Sequence, residues 1–144
     1  MKIKYSVLNE NAHVPTRGSE YAAGYDLYAC LDCDVIIIQP HTTVKIGTGL
    51  SFELPDNYYG AIYARSGLAS KSGLRPANCV GVCDSDYRGE YIVAIHNDTN
   101  EEQMIKNGDR IAQLVICPYL AVEFEESELS ETKRGANGFG STGQ

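Results

Sequence analysis

The spacing of its turns constrains this chain more than any other feature. Gln39-Pro40-His41, Pro55-Asp56-Asn57, Asn97-Asp98-Thr99-Asn100 and Asn107-Gly108-Asp109 punctuate the sequence at short intervals. Proline presets φ, glycine admits positive φ, and asparagine or aspartate bonds its own backbone, so each cluster turns the chain for a definite reason. Between them lie short segments rich in Val, Ile and Tyr. Val35 to Ile38, Ala61 to Ala64, Tyr91 to Ile95 and Ile111 to Ile116 read as strands. Thr42 to Leu54 places Val44, Ile46, Leu50, Phe52 and Leu54 mostly at period two, which reads as one long strand. Helical turns are expected only at Ser66 to Ser72 and Ser127 to Thr132. No apolar stripe of helical period and no internal repeat is present. Many short strands between such turns predict a β sandwich, barrel or jelly roll.

Composition narrows the partners. The 144 residues make one domain, and their net charge of −7 argues against an extended nucleic-acid or anionic-membrane surface, which needs a cationic face. It leaves room for a small anionic ligand in a locally positive pocket. Two stretches offer such a surplus. Arg65 to Arg75 holds three cations and no acid, and Lys133 to Gln144 holds two and no acid, whereas Leu120 to Glu131 contains five glutamates and no base. No apolar run approaches the roughly 20 residues of a membrane span, and the start, MKIKY, does not read as a signal peptide. With five cysteines, an odd number, an intracellular, reduced protein is expected, cytoplasmic by default. Cys30 with Cys33 and Cys79 with Cys83 have spacings that a zinc site uses. Both pairs sit in segments that read as strands, however, where Cys30 and Cys33, three apart, face opposite ways, and small buried hydrophobes are the favoured assignment.

Five segments carry the chemistry. Ala22 to Ala29 places Asp26 in an otherwise apolar strand, where it needs a cationic or polar partner. Ala64-Arg65-Ser66-Gly67-Leu68-Ala69 follows an apolar strand and presents a guanidinium, a hydroxyl and backbone N–H groups suited to phosphate. It is not a Walker loop, since Ser70 stands where the second glycine belongs. In Gly81 to Glu90, Asp84 and Asp86 flank a turn before Tyr87. They suit a general base with a metal-shell group, or equally an Asx-rich turn, and Tyr87 suits a ligand wall or a strand flank. Gln113 is the only polar residue between Ile111 and Ile116, and such a glutamine commonly satisfies backbone groups. Lys133 to Gln144, with four glycines, is a ligand-ordered arm or a disordered tail.

Taken in order, AAGYDLYA (22–29), ARSGLA (64–69), GVCDSDYRGE (81–90), GDRIAQL (108–114) and RGANGFGSTG (134–143) resemble the five motifs of the trimeric deoxyuridine triphosphatase (dUTPase) family. They span nearly the whole chain with spacings typical of that family. Cys83 departs from the pattern, standing where a branched aliphatic residue is usual. The resemblance implies an all-β, jelly-roll-like distorted barrel or sandwich with one short helix. It also implies a single domain over 1–144, with 132–144 as a mobile glycine-rich C-terminal arm carrying the fifth motif. The implied activity is Mg²⁺-dependent hydrolysis of dUTP to dUMP and pyrophosphate, limiting uracil in DNA and supplying dUMP for thymidylate synthesis. The implied assembly is a homotrimer with shared sites, and no nucleic acid or membrane partner is expected.

Carried over residue by residue, Asp84 resembles the base that deprotonates a water attacking the α-phosphorus. Asp26 resembles the carboxylate that pairs with Arg65 and supports the water shell of the metal. Gln113 resembles the residue near the α-phosphate. Arg65, Ser66 and Gly67 are implied as phosphate contacts, Arg134 as a γ-phosphate contact, Phe139 as a cover for uracil, and Gly140, Ser141 and Thr142 as further contacts. Specificity is implied for a hairpin between the second and third motifs that contains Asn78 and leads through Gly81 and Val82 to Tyr87, whose ring would exclude a ribose 2′-hydroxyl. The related dCTP deaminases carry a catalytic Glu three residues before an Asn. Here that position is Ala94, before Asn97, which argues against deamination. A binding module without turnover is the competing class, but all five motifs keep their reactive residues.

Overall fold

The even-numbered apolar residues from Ile46 to Leu54 enter the core together. In the structure, a computed structural model that describes residues 1–138, Ile46, Leu50, Phe52 and Leu54 are all buried. The long strand expected over Thr42 to Leu54 is nevertheless broken into two, Thr43–Gly47 (β5) and Leu50–Glu53 (β6). Gly49 causes the break. Its φ is +67°, and a Cβ there would lie 2.7 Å from Ala12 Cβ and 2.9 Å from Cys30 Sγ, so only glycine turns the chain at this point.

The remaining elements are β1 (Lys4–Val7), β2 (Thr16–Arg17), β3 (Tyr25–Tyr28), β4 (Val35–Ile38), β7 (Tyr58–Tyr63), α1 (Ser66–Ser72), β8 (Leu74–Pro76), β9 (Val80–Cys83), β10 (Ile92–Asn97), β11 (Gln103–Lys106) and β12 (Arg110–Pro118). All pairings are antiparallel. One five-stranded sheet has the order β2-β3-β12-β7-β9, a three-stranded sheet has β5-β10-β8, and β1-β6 and β11-β4 are two-stranded. Among the described residues no sheet closes into a barrel. Side chains from all four sheets meet in one core: Leu27, Ile62 and Leu114 from the largest, Ile46, Val93 and Leu74 from the next, Phe52 from β6, and Ile38 with Ile105 from β4 and β11. The fold is the expected jelly-roll-like β arrangement, with a single short helix among the described residues.

Helix α1 starts and stops where the sequence places it. Gly73 ends it in the left-handed region, φ +61°, with its N–H on the carbonyl of Leu68. The second expected helical turn, Ser127 to Thr132, does not form. Residues 120–132 are exposed and make no regular structure, because Leu129 is 91% exposed and no apolar face has anything to pack on. The strand assignment of the cysteine pairs also fails in part. Cys30 and Cys33 lie in the connection after β3, and Cys79 sits in a turn at φ +62°; of these four only Cys83 is on a strand. All five thiols are free, and among the described residues no group of three or more His, Cys, Asp or Glu is placed to hold a metal. Cys83 packs against the core, as a small hydrophobe would, whereas Cys33 and Cys79 are exposed rather than buried.

Candidate active site

One row across the five-stranded sheet assembles the first cluster. Asp26 on β3 lies opposite Gln113 on β12, and Gln113 lies opposite Tyr63 at the end of β7. Two residues beyond Tyr63 the chain reaches Arg65, the residue that precedes α1. Arg65 Nε donates to Asp26 Oδ1 at 2.8 Å, and Arg110 Nη1 donates to Asp26 Oδ2 at 3.2 Å. The carboxylate, with its side chain 13% exposed, is thus held between two guanidinium groups. Such pairing satisfies the charge that an apolar strand would otherwise strand in the interior. Arg65 Nη1 also donates to the carbonyl of Arg110 at 3.4 Å, tying the two arginine segments together.

Gln113 does what a semi-buried glutamine in a strand commonly does: its Nε2 donates to the carbonyl of Ala64 at 2.8 Å. This bond fixes the strand exit that carries Arg65. The amide group lies over Gly24, where any Cβ would overlap Gln113 Oε1. Ser66 and Gly67, the first residues of α1, are exposed beside this cluster, and the space around the Gly67 Cα is open.

A second cluster surrounds a cavity of about 270 Å³ along β9, walled by Asn78, Gly81, Val82, Asp84 and Tyr87, with Ala94 of β10 at its far side. The wall before β9 is a tight turn. Cys79 N–H donates to the Pro76 carbonyl at 3.1 Å and Val80 N–H to the Asn78 carbonyl at 2.7 Å. A Cβ on Gly81 would lie 3.1 Å from Ile62 Cβ and 3.3 Å from Asn78 Nδ2, so glycine leaves the backbone bare at the cavity. Asn78, Gly81 and Val82 are brought together as expected, but not by a hairpin. β8 pairs with β10, whereas β9 pairs with β7, so the turn carries the chain from one sheet to another. Leu74 and Pro76 of β8 are both buried, so this strand is tied to the core beside β10.

Past Cys83 the chain turns at Asp84, whose carbonyl accepts from Tyr87 N–H at 3.2 Å. Asp84 is exposed, and the Tyr87 ring is 45% exposed with its hydroxyl donating to the Glu90 carbonyl at 3.1 Å. Tyr91 also lines the cavity, 1% exposed, its hydroxyl buried and, among the described residues, without a hydrogen-bond partner. Burial and the adjoining Cys83 thiol push this phenol well above its ordinary range, and burial likewise pushes up the Cys83 thiol. Neither group is set up to ionise at neutral pH.

The two clusters do not merge within one chain. Cys83 lies opposite Gly60, three positions along β7 from Tyr63, so Asp84 and Arg65 leave the sheet at points separated by about 10 Å or more at strand rise. Arg134 joins neither cluster. It sits in an exposed turn, its Nε donating to the Asn137 carbonyl at 2.9 Å. Phe139, Gly140, Ser141 and Thr142 lie outside the described residues. Arg110 is the residue that sequence reasoning missed. The lone carboxylate in an apolar strand signalled a cation, but not that two would share it. Glu90 and Tyr91 were missed as well, one reading as the end of a motif and the other as the first residue of a strand.

The dUTPase family model matches residues 10–143. The deoxyuridine 5′-triphosphate nucleotidohydrolase of Desulfitobacterium hafniense is 50% identical over 145 residues, covering 99% of this chain and 95% of that protein. Among solved structures, a mutant of the Staphylococcus bacteriophage 80alpha dUTPase with dUpNHpp is similar, with a TM-score of 0.89 and 27% identity over 99% of both chains. A mutant of the dUTPase from phage phi11 of S. aureus, described as coordinating a structural Mg(II) ion, has a TM-score of 0.82 and 25% identity, covering 92% of this chain and 100% of that one.

Proposed function

As a member of the dUTPase family this chain is a dUTP diphosphatase, and we propose that it cleaves dUTP to dUMP and pyrophosphate by in-line attack of water on the α-phosphorus. The observation that carries the reading is the cavity along β9, which combines a bare backbone wall at Gly81, an exposed carboxylate at Asp84 and an aromatic face at Tyr87. Uracil offers an N3–H donor beside an O4 acceptor, and Asn78 with the backbone of Gly81 and Val82 can match that pair. Cytosine reverses the pattern and leaves buried groups unpaired, a penalty of several kcal/mol. Tyr87 lies flat against deoxyribose and leaves no room for a 2′-hydroxyl.

Asp84 accepts the proton of the attacking water. Arg65, Ser66 and Gly67 bind the phosphate chain, and Gln113 lies near the α-phosphate. Asp26 holds Arg65 and Arg110 in place for the same anion. Arg134 engages the γ-phosphate. Phe139 covers the base, while Gly140, Ser141 and Thr142 complete the phosphate contacts as the arm over 132–144 closes and excludes water. Asp26 would hold Mg²⁺ only through the water shell of the ion, since both its oxygens are engaged by arginine, and that suits a cation that keeps several waters. When bound, it neutralises charge on the triphosphate and the departing pyrophosphate.

The separation of the two clusters supports a homotrimer in which neighbouring chains complete each site. So does the segment after β12. Leu120, Val122 and Phe124 are 88%, 64% and 97% exposed, apolar side chains close in sequence that call for cover by another chain. Such an enzyme limits dUTP available for DNA synthesis and supplies dUMP. No helix among the described residues is long and apolar enough to cross a membrane. Incubation with dUTP, dCTP, dTTP and UTP in Mg²⁺ tests the proposal. Pyrophosphate release is expected from dUTP and far less from the other three, and equal turnover of dUTP and UTP removes the role given to Tyr87.

A further inference from the structure

We infer that Glu90 is a positioning residue for sugar discrimination, anchoring the Tyr87 ring to the connector between β5 and β6. This rests on the reading of Tyr87 as the wall against the sugar. The segment from Asp84 to Tyr91 contains no strand or helix of its own, so its shape depends on what it is tied to. The ties run to Gly47–Ser51. Ser51 Oγ donates to the Arg88 carbonyl at 2.8 Å, Thr48 Oγ1 donates to the Tyr91 carbonyl at 2.7 Å, and Tyr91 N–H donates to the Leu50 carbonyl at 2.8 Å.

Thr48 N–H adds a further bond to the Tyr91 carbonyl at 3.2 Å, and Glu90 supplies the tie made by a side chain of the segment itself. Gly49, turned into the left-handed region between β5 and β6, is buried, and Glu90 Oε1 accepts its N–H at 2.7 Å. A buried amide requires an acceptor, and a carboxylate is a strong one. Gly47 makes space for this contact, since a Cβ there would overlap Glu90 Oε1. The other end of Glu90 holds the tyrosine: its carbonyl accepts from the Tyr87 hydroxyl at 3.1 Å. Gly89 completes the arrangement, because any Cβ there would overlap the Tyr87 hydroxyl and push the ring outward. One residue therefore grips the core with its side chain and the aromatic wall with its backbone.

The test compares kcat and KM for dUTP and UTP in Glu90→Ala, Glu90→Asp, Glu90→Gln and Tyr87→Ala. Glu90→Ala is expected to lower the dUTP:UTP ratio of kcat/KM by about tenfold or more, chiefly through KM. Glu90→Asp, a methylene short of Gly49, is expected to do the same with the charge retained. Glu90→Gln keeps an acceptor oxygen and is expected to hold the ratio within about threefold. If Glu90→Ala fails to fold, Glu90→Asp decides. An unchanged ratio in Glu90→Ala or Glu90→Asp, with the ratio collapsed in Tyr87→Ala, overturns the role of Glu90 alone. A Glu90→Gln enzyme as unselective as Glu90→Ala also overturns it, since charge rather than the bond to Gly49 would then matter. An unchanged ratio in Tyr87→Ala overturns the underlying reading of the tyrosine and the inference with it.

Discussion

Asp26 and Arg110, 84 residues apart in sequence, meet at 3.2 Å, and the same carboxylate binds Arg65 at 2.8 Å. β3 and β12 are neighbours in the sheet, so the contact is a consequence of strand pairing. A carboxylate between two guanidinium groups neutralises their mutual repulsion while leaving both facing one region, which is what a polyphosphate needs.

Replacing Asp26 with Ala leaves Arg65 and Arg110 close together without a counter-charge. Urea unfolding at fixed protein concentration should show a loss of about 1–3 kcal/mol, and kcat should fall by about a hundredfold or more. Arg110→Ala should cost less than about 1 kcal/mol, since that side chain is 51% exposed.

Asp84→Asn keeps the shape of the side chain and removes the base. Turnover should fall by about a thousandfold or more, while binding of a non-hydrolysable dUTP analogue, followed by calorimetry, stays within about threefold. Near-normal turnover would assign the base to another group.

Deleting 133–144 should separate catalysis from stability. The described hydrogen bonds of residues 133–138 stay within 132–137, so the thermal midpoint should move by no more than about 2 °C. The value of kcat/KM for dUTP should drop by about a hundredfold or more. A lost thermal transition would show that the segment supports the core.

Asp98 gives stability a pH dependence. The Arg75 fork, bonded at 2.6 and 2.9 Å, holds the Asp98 carboxyl below the usual carboxylate range, with His96 and His41 adding to the effect. A depressed folded-state pKa stabilises the fold above the unfolded value, and the contribution disappears as pH falls through the folded value. Asp98→Asn should therefore lower the thermal midpoint at neutral pH, and the difference from the parent should vanish in strong acid. The pair is exposed, so high salt should shrink the difference as well.

Much of this molecule was legible residue by residue, and the parts that were not share a cause. The strands at Val35–Ile38 and the helix at Ser66–Ser72 coincide with their sequence signals because β-branched runs, turn residues and a helix-ending glycine act through local backbone preferences. The need of Asp26 for a partner was equally visible, since charge in an apolar strand must be met. The break at Gly49, the transfer of the chain from β8 in one sheet to β9 in another, the second arginine on Asp26 and the grip of Glu90 on Gly49 were decided only in three dimensions. Each depends on which distant strands share buried surface. That choice belongs to the packing of the whole core, because a strand's own residues encode its period and faces but not its neighbours.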